Sequence, residues 1–397
     1  MEQPVLVINA GSSSLKFSLF EARDGSDPEL LAGGQIEGIG VRPHFVAKGA
    51  DGEILTDFVY DSGSGHRGAL QRLGNWLRDY LAGRKVAVVG HRVVHGGAKF
   101  TQPVLVDGEV MEALEAFVPL APLHQPHNLK AIEAVAIAAP GVPQVACFDT
   151  AFHQTHPWVA DTFALPRKFY DQGIRRYGFH GLSYEFIAHA LAEQHPHLAA
   201  GRVVVCHLGN GASACAIREG RSVDSTMGFT ALDGLPMGTR CGQIDPGVLL
   251  HLIDELGMTT AEVTDLLYKE SGLKGLSGIS SDMRDLEASE APEAAHAIGY
   301  FTHRIRREVA GLAASMGGID GLVFTAGIGE HAAGVRAQVV EGLGWLGLDL
   351  DAEANQHHGP RISTAASAVE VLVIPTNEEK MIARHALRVA GISAPTS

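Results

Sequence analysis

The sequence is short of cysteine, of positive charge and of long apolar runs, and each shortage closes a class of explanation. Its 397 residues hold four cysteines, Cys147, Cys206, Cys215 and Cys241. None shares a CxxC spacing, and all lie in or beside apolar strands or a glycine loop. That pattern excludes a disulfide framework or zinc site and predicts reduced thiols. Lys and Arg number 31 against 45 Asp and Glu, a net charge of −14, which excludes nucleic acid and anionic membranes as natural partners. No apolar run approaches the roughly 20 residues that span a bilayer. The opening Met1-Glu-Gln-Pro4 has neither the basic nor the apolar region of a signal peptide. A soluble, cytoplasmic protein is expected. What the chain does have is 46% hydrophobic residues and 47 glycines, enough core for two or three domains with many tight turns.

Residues 5–20 read as a strand, a turn and a strand. Val5 to Ile8 are apolar, Asn9 to Ser14 are small and polar, and Leu15, Phe17, Leu19 and Phe20 resume the apolar pattern around Lys16. Three serine hydroxyls, a glycine and backbone N–H groups, with a lysine beyond, suit such a turn to phosphate oxygens or a metal-phosphate. An ordinary polar hairpin accounts for it equally well. Residues 30–46 and 54–60 extend the sheet with antiparallel strands. The GxGxxG at 61–68 lacks the acidic residue a dinucleotide site needs after the next strand, and reads as a loop that starts the helix 69–81.

The strand 86–89 runs into Gly90-His-Arg-Val-Val-His-Gly-Gly97, where Arg92 sits among valines and glycines. A cation so placed needs an anion, either a substrate or a core carboxylate. The proline-rich 119–128 leads into the helix 129–139, and its His124 and His127 lack a third ligand for a metal. The strand 145–148 delivers Asp149 at its end, where ligand clefts form in α/β sheets. Loops follow at 152–173. His180 precedes the next helix, behind Arg175 and Arg176, as a structural histidine or an anion contact. Residues 227–247 form a glycine-punctuated loop presenting Arg240, Thr259 with Glu262 predicts a capping box, and 294–315 an amphipathic helix. The strand 321–325 meets a second glycine loop at 326–331. The last helix opens at Thr376-Asn-Glu-Glu379, where the helix dipole alone would explain Glu378.

Residues 203–217 repeat the opening pattern, an apolar strand, a Gly/Asn/Ser turn and a second strand, with Gly209 in the place of Gly11 about half the chain later. Such an echo marks an internal duplication. Two similar halves, each opening on a phosphate-type hairpin, are the plan of the actin-like fold of sugar kinases and chaperone ATPases. The expected fold is α/β, duplicated and actin-like (ribonuclease H-like), with a cleft between domains. The expected domains are 1–150 completed by the C-terminal helix 377–397, and 151–376.

The motifs ending at Lys16 and Gly97, together with Phe148-Asp-Thr-Ala-Phe-His153, Tyr177-Gly-Phe-His-Gly-Leu-Ser183, His207-Leu-Gly-Asn-Gly211, Gly238-Thr-Arg-Cys-Gly242, Gly327-Ile-Gly-Glu330 and Pro375-Thr-Asn-Glu-Glu379, resemble the acetate kinase family over essentially the whole chain. The resemblance implies reversible phosphoryl transfer from ATP to acetate, giving acetyl phosphate and ADP. It implies that Asn9 and Glu378 hold Mg²⁺, with Mn²⁺ as an alternative, and that Lys16 contacts nucleotide phosphate. His207, Leu208, Gly209, Asn210 and Gly211, then Asp282, Met283 and Arg284, then Gly327, Ile328, Gly329, Glu330 and His331 would line the ATP site. Arg92 would hold the carboxylate, with Val94 and Leu123 around the acyl group. Asp149 takes a proton-transfer or orienting role, and His180 and Arg240 stabilise the transition state. A homodimer through the second domain is also implied.

Elementary chemistry is consistent with this set. A carboxylate is already ionised at neutral pH and needs no strong base to become a nucleophile. The difficulty is bringing two anions together and spreading charge over the phosphoryl in flight, work for Arg, His and Mg²⁺. An orienting role for Asp149 is therefore expected over proton transfer. His331 stands where the family usually has Asn, Gln243 where an acidic residue is common, and Ala231 where many members have Pro. The neighbouring readings are a propionate or butyrate kinase and, from another class, an actin-like ATPase scaffold or chaperone. Arg92 and Arg240 argue against the latter, which has no second anion to hold.

Overall fold

The computed structural model describes residues 2–23, 25–61 and 65–392, so positions 62–64 of the glycine-rich stretch lie outside the described residues. The chain divides into two compact units, residues 1–151 with 377–397, and residues 152–376.

Unit 1 is built on an eight-stranded sheet of β1 (Gln3–Ala10), β2 (Leu15–Ala22), β3 (Glu29–Glu37), β4 (His44–Gly49), β5 (Ile54–Val59), β6 (Val88–Val93), β7 (Val104–Leu105) and β8 (Gln144–Phe148). The order is β5-β4-β3-β2-β1-β6-β8-β7. β5 to β1 form an antiparallel meander, whereas β1, β6 and β8 run parallel. Alternation along the hairpin decides what each face meets. Leu6, Ile8 and Ala10 with Leu15, Phe17 and Leu19 pack against α1 (Gly65–Tyr80) and α2 (Gln125–Ala138). In α1 the buried Ala69, Leu70, Leu73 and Leu77 fall on one stripe. The C-terminal helix Glu378–Val389 packs on β6, β1 and β8. Gly90 admits it, because a Cβ there would lie 2.5 Å from Ile382 Cγ2 and 3.4 Å from the Ile382 carbonyl oxygen.

Unit 2 holds a five-stranded sheet of β9 (Arg202–Leu208), β10 (Ala212–Arg218), β11 (Arg221–Ser225), β12 (Gly321–Thr325) and β13 (Glu370–Val373), in the order β11-β10-β9-β12-β13. β9 to β11 are antiparallel, and β9, β12 and β13 are parallel. This is the order and direction of β3-β2-β1-β6-β8, so the echo between Gly11 and Gly209 is matched by two sheets of the same topology. Tyr184, Ile187 and Leu191 of α3 (Gly181–Gln194) bury against Val203, Val205, Cys215, Ile217, Val323 and Leu372. The long α4 (Pro292–Met316) packs on β9, β10 and β11.

Several local readings change. The strand expected at 86–89 runs from Val88 to Val93, because it pairs with β1 as far as His91 and with β8 on through Arg92 to Val93. The helix after the proline-rich loop starts at Gln125, four residues early, since Pro126 sits in the first turn, where its missing N–H costs nothing. The glycine loop at 326–331 is itself a short helix, α5 (Ala326–His331), entered directly from β12 with Ala326 at φ +64°. Residues 152–173, expected as loops, carry the short helices Trp158–Asp161 and Arg167–Asp171. The capping box at Thr259 and Glu262 is present.

Replacing Gly90 by Val would drive a branched side chain into Ile382 and the helix backbone behind it. We expect a loss of about 1–3 kcal/mol, the usual cost of overpacking a full core, read as a lower denaturant midpoint. An unchanged midpoint would mean that the C-terminal helix does not depend on this contact.

Candidate active site

In unit 1 the parallel strands deliver three of the expected polar residues at their C-terminal ends. Asn9 lies at the end of β1, Arg92 at the end of β6 and Asp149 directly after β8, its N–H donating to the Val93 carbonyl at 3.1 Å. Lys16 is the cross-strand partner of Asn9 in the hairpin, so both leave the same face. Glu378 opens the C-terminal helix.

Arg92 donates to Asp149 twice, Nε to Oδ1 at 2.9 Å and Nη2 to Oδ2 at 2.7 Å, and its Nε lies 3.7 Å from Glu378 Oε2. The core carboxylate that the sequence left as one of two answers for Arg92 is therefore Asp149. These two bonds use Nε and Nη2 and leave Nη1 for another acceptor. Burial opposes the guanidinium charge, yet Asp149 and Glu378 hold its pKa above the ordinary arginine value. Glu378 goes the other way for a carboxylate. Burial pushes it up to about 7; Arg92 and Lys16 pull it down, while Asp149 and Glu379 add to the rise. Two other carboxylates so near leave this oxygen cluster short of positive charge.

Two buried amides of α2 hold the strand end in place, and sequence reasoning missed both. Asn128 accepts from Val94 N–H at 3.1 Å and donates to the Ala10 carbonyl at 3.0 Å, joining the ends of β1 and β6. Gln125 accepts from His95 N–H and donates to the carbonyls of His95 and Leu114. Their one sequence signal is Pro126, which announces the first helical turn. Val94 is half-buried, and Leu123 is 42% exposed on the turn before α2.

Unit 2 brings together a second group. His180 precedes α3 in a left-handed conformation, φ +58°, unusual for a residue with a side chain. Its ring stacks on His207 with centroids 4.1 Å apart, and its Nδ1 lies 2.8 Å from Ser213 Oγ. His207 Nδ1 meets Ser183 Oγ at 2.8 Å. Gly211 lies against both His180 and Arg240, since a Cβ there would sit 3.3 Å from His180 Nε2 and 3.5 Å from Arg240 Nη2. Arg240 donates from Nη1 to the Ala231 carbonyl at 2.8 Å, a bond any residue at 231 supplies.

A cavity of about 390 Å³ opens beside them, lined by Gly209, Asn210, Ser281, Asp282, Met283, Arg284, Glu287, Gly327, Ile328, His331 and Ala332. It gathers eight of the thirteen unit 2 residues expected around a nucleotide. His207, Leu208, Gly211, Gly329 and Glu330 do not line it: Leu208 is in the core, and Glu330 accepts from Thr376 N–H. Ser281, Glu287 and Ala332 are additions. Asp282 caps the helix Met283–Glu287 and pairs with Arg284, whose side chain, followed by its backbone N–H, lowers the carboxyl to about 2. Of the departures from the family pattern, His331 reaches the cavity wall, and Gln243 accepts from Arg304.

The raised Glu378 pKa has a stability consequence. The folded chain keeps a proton, up to about pH 7, that an ordinary glutamate releases near 4.5, so folding loses stability as pH rises through that window. Glu378→Gln stays neutral throughout. With chelator present, the variant should match the parent near pH 5 and melt higher by at least a few degrees at pH 8.5. Equal melting at both pH values would contradict the assignment.

The comparisons with known proteins cover both groups of residues. A sequence model described as the Acetokinase family matches residues 4–384. The chain is similar to the acetate kinase of Methylocella silvestris, 55% identical over 397 residues, with 98% of each chain covered. Among solved structures it resembles an acetate kinase from Porphyromonas gingivalis, with TM-score 0.89 and 38% identity over 98% of this chain and 99% of that one. It also resembles a propionate kinase from Francisella tularensis, with TM-score 0.91 and 37% identity over 98% of this chain and all (100%) of that one. With a match running almost from end to end and over half its residues shared with a curated relative, the chain belongs to the acetokinase family.

Proposed function

We propose that this protein transfers the γ-phosphoryl group of ATP to acetate, reversibly, giving acetyl phosphate and ADP. The observation that carries the reading is Arg92, a half-buried guanidinium fixed from one side by Asp149, with Nη1 left to hold a second carboxylate. Bound there, acetate needs no base. Asp149, with both oxygens on Arg92, orients that clamp and keeps it from turning away. In unit 2 the glycine-lined cavity takes the nucleotide, with Asn210, Arg284 and His331 on its wall. His180 and Arg240, adjacent across Gly211, spread the charge of the phosphoryl in flight, and Lys16 meets a nucleotide phosphate.

The residues present fit Mg²⁺. Asn9 and Glu378 offer hard oxygen donors, and a glutamate pushed up to about 7 marks a place where added positive charge is favourable. Asn9 and Glu378 would hold the ion through their oxygens, and it would supply positive charge to the phosphates. The reading includes a homodimer formed through unit 2 and two duplicated actin-like domains with the boundaries 1–150 plus 377–397 and 151–376. Among the described residues no helix is long and apolar enough to cross a membrane.

Propionate is the second acceptor to weigh, since a propionate kinase is among the similar structures. One methylene shifts preference by only about 1–3 kcal/mol. Incubation with ATP, Mg²⁺ and hydroxylamine should yield acetyl hydroxamate, and kcat/KM with acetate, propionate and butyrate gives the order of preference. Arg240→Ala should lower turnover on the order of 10²–10³-fold, as loss of a transition-state donor does. Absence of hydroxamate with every short carboxylate, or near-normal turnover in Arg240→Ala, would overturn the reading.

A further inference from the structure

Unit 2 contains a buried row of polar side chains that the proposed reaction does not use directly. His153 is 1% exposed, Asp161 2% and Ser222 0%. His153 Nε2 lies 2.9 Å from the Phe179 carbonyl oxygen and its Nδ1 2.8 Å from Ser222 Oγ. Ser222 Oγ is in turn 2.7 Å from His156 Nε2, and His156 Nδ1 is 3.2 Å from Asp161 Oδ1. The other Asp161 oxygen takes Arg175.

The hydrogen positions follow from one end. A carbonyl oxygen only accepts, so His153 Nε2 carries the hydrogen that goes to Phe179. In a neutral ring Nδ1 is then an acceptor, and Ser222 must donate to it. Burial, with His156 adding to it, lowers the pKa of His153 to about 3, which keeps the ring neutral. The Ser222 oxygen is left to accept from His156 Nε2–H. From His156 onward the three bonds therefore point one way, through Ser222 and His153 to one backbone oxygen, while the His156–Asp161 contact lies on the other side of the His156 ring.

That oxygen belongs to the residue before His180, whose left-handed conformation needs external support. His153 supports it along two more lines. Its ring fills the space beside Gly178, where a Cβ would come within 2.5 Å of His153 Cδ2. It also packs edge-on against Tyr184, centroids 5.6 Å apart, and the Tyr184 hydroxyl meets Ser213 Oγ, the atom that faces His180 Nδ1. We infer that His153 is a positioning residue, which, with Ser222 and His156 behind it, holds the Phe179 carbonyl and thereby aims the His180 ring at the phosphoryl in flight. The inference rests on the carboxylate-kinase reading and deepens it.

The test is a double-mutant cycle read in turnover. His153→Phe keeps an aromatic ring and loses both hydrogen bonds. It should lower kcat about 10- to 100-fold, the scale on which a misplaced catalytic group costs, with KM for ATP and acetate held within about threefold. His153→Gln, whose amide N–H sits near the place of Nε2–H, should recover most of that loss. In a His180→Ala background His153→Phe should cost nothing further, because the group it aims is gone. Should His153→Phe not fold, Ser222→Ala serves in the same cycle, with a smaller loss that again vanishes without His180. Equal losses in both backgrounds, or His153→Gln as impaired as His153→Phe, would overturn the inference while leaving the kinase reading intact. A parent protein that makes no acyl phosphate would overturn both.

Discussion

Arg92 and Asp149 form the constraint around which unit 1 is arranged. Two parallel strands end side by side, one delivering a guanidinium and the other a carboxylate, and the bidentate geometry fixes the guanidinium plane. A pair of this kind, with Asp149 buried and Arg92 half-buried, adds little net stability once desolvation is counted. Its value is directional. Glu378 then stands on the same cation from the first turn of the C-terminal helix, where burial, with Asp149 and Glu379 adding to it, raises its pKa. Gly90 matters for the same reason, since the helix that carries Glu378 passes too close to β6 at that point to admit a side chain.

Unit 2 repeats the sheet of unit 1 and uses its hairpin differently. The turn at Gly209 to Gly211 contributes Gly209 and Asn210 to the cavity wall, and Gly211 leaves room for His180 and Arg240 to approach each other. In unit 1 the corresponding hairpin presents Asn9 and Lys16 from one face. One topology thus supplies oxygen and ammonium groups in one copy, and backbone and imidazole in the other. Duplication gives the frame, and the side chains at the turn decide the chemistry.

Sequence order made much of this legible, for reasons that differ between residues. The apolar run at Gly321–Thr325 and the capping pair Thr259 and Glu262 are local signals, and the structure shows both. The matching sheets were foreshadowed by the strand-turn-strand pattern of residues 5–20 returning at 203–217, with Gly209 in the place of Gly11. What stayed hidden depends on contacts far along the chain. Asn128 bonds to Ala10, and His153 and His156 converge on Ser222, and no local pattern announces such meetings. Arg92 shows the limit most directly: sequence could say that it needs an anion and could not say that Asp149 is that anion.

On the proposed function, Asp149 works by orienting Arg92 and moves no proton. The most direct test of this claim is the pH profile of kcat/KM for acetate in Asp149→Asn. A uniform drop across pH is expected, with the shape of the parent profile retained. Loss of a limb from the profile would show Asp149 titrating in the reaction and contradict the claim.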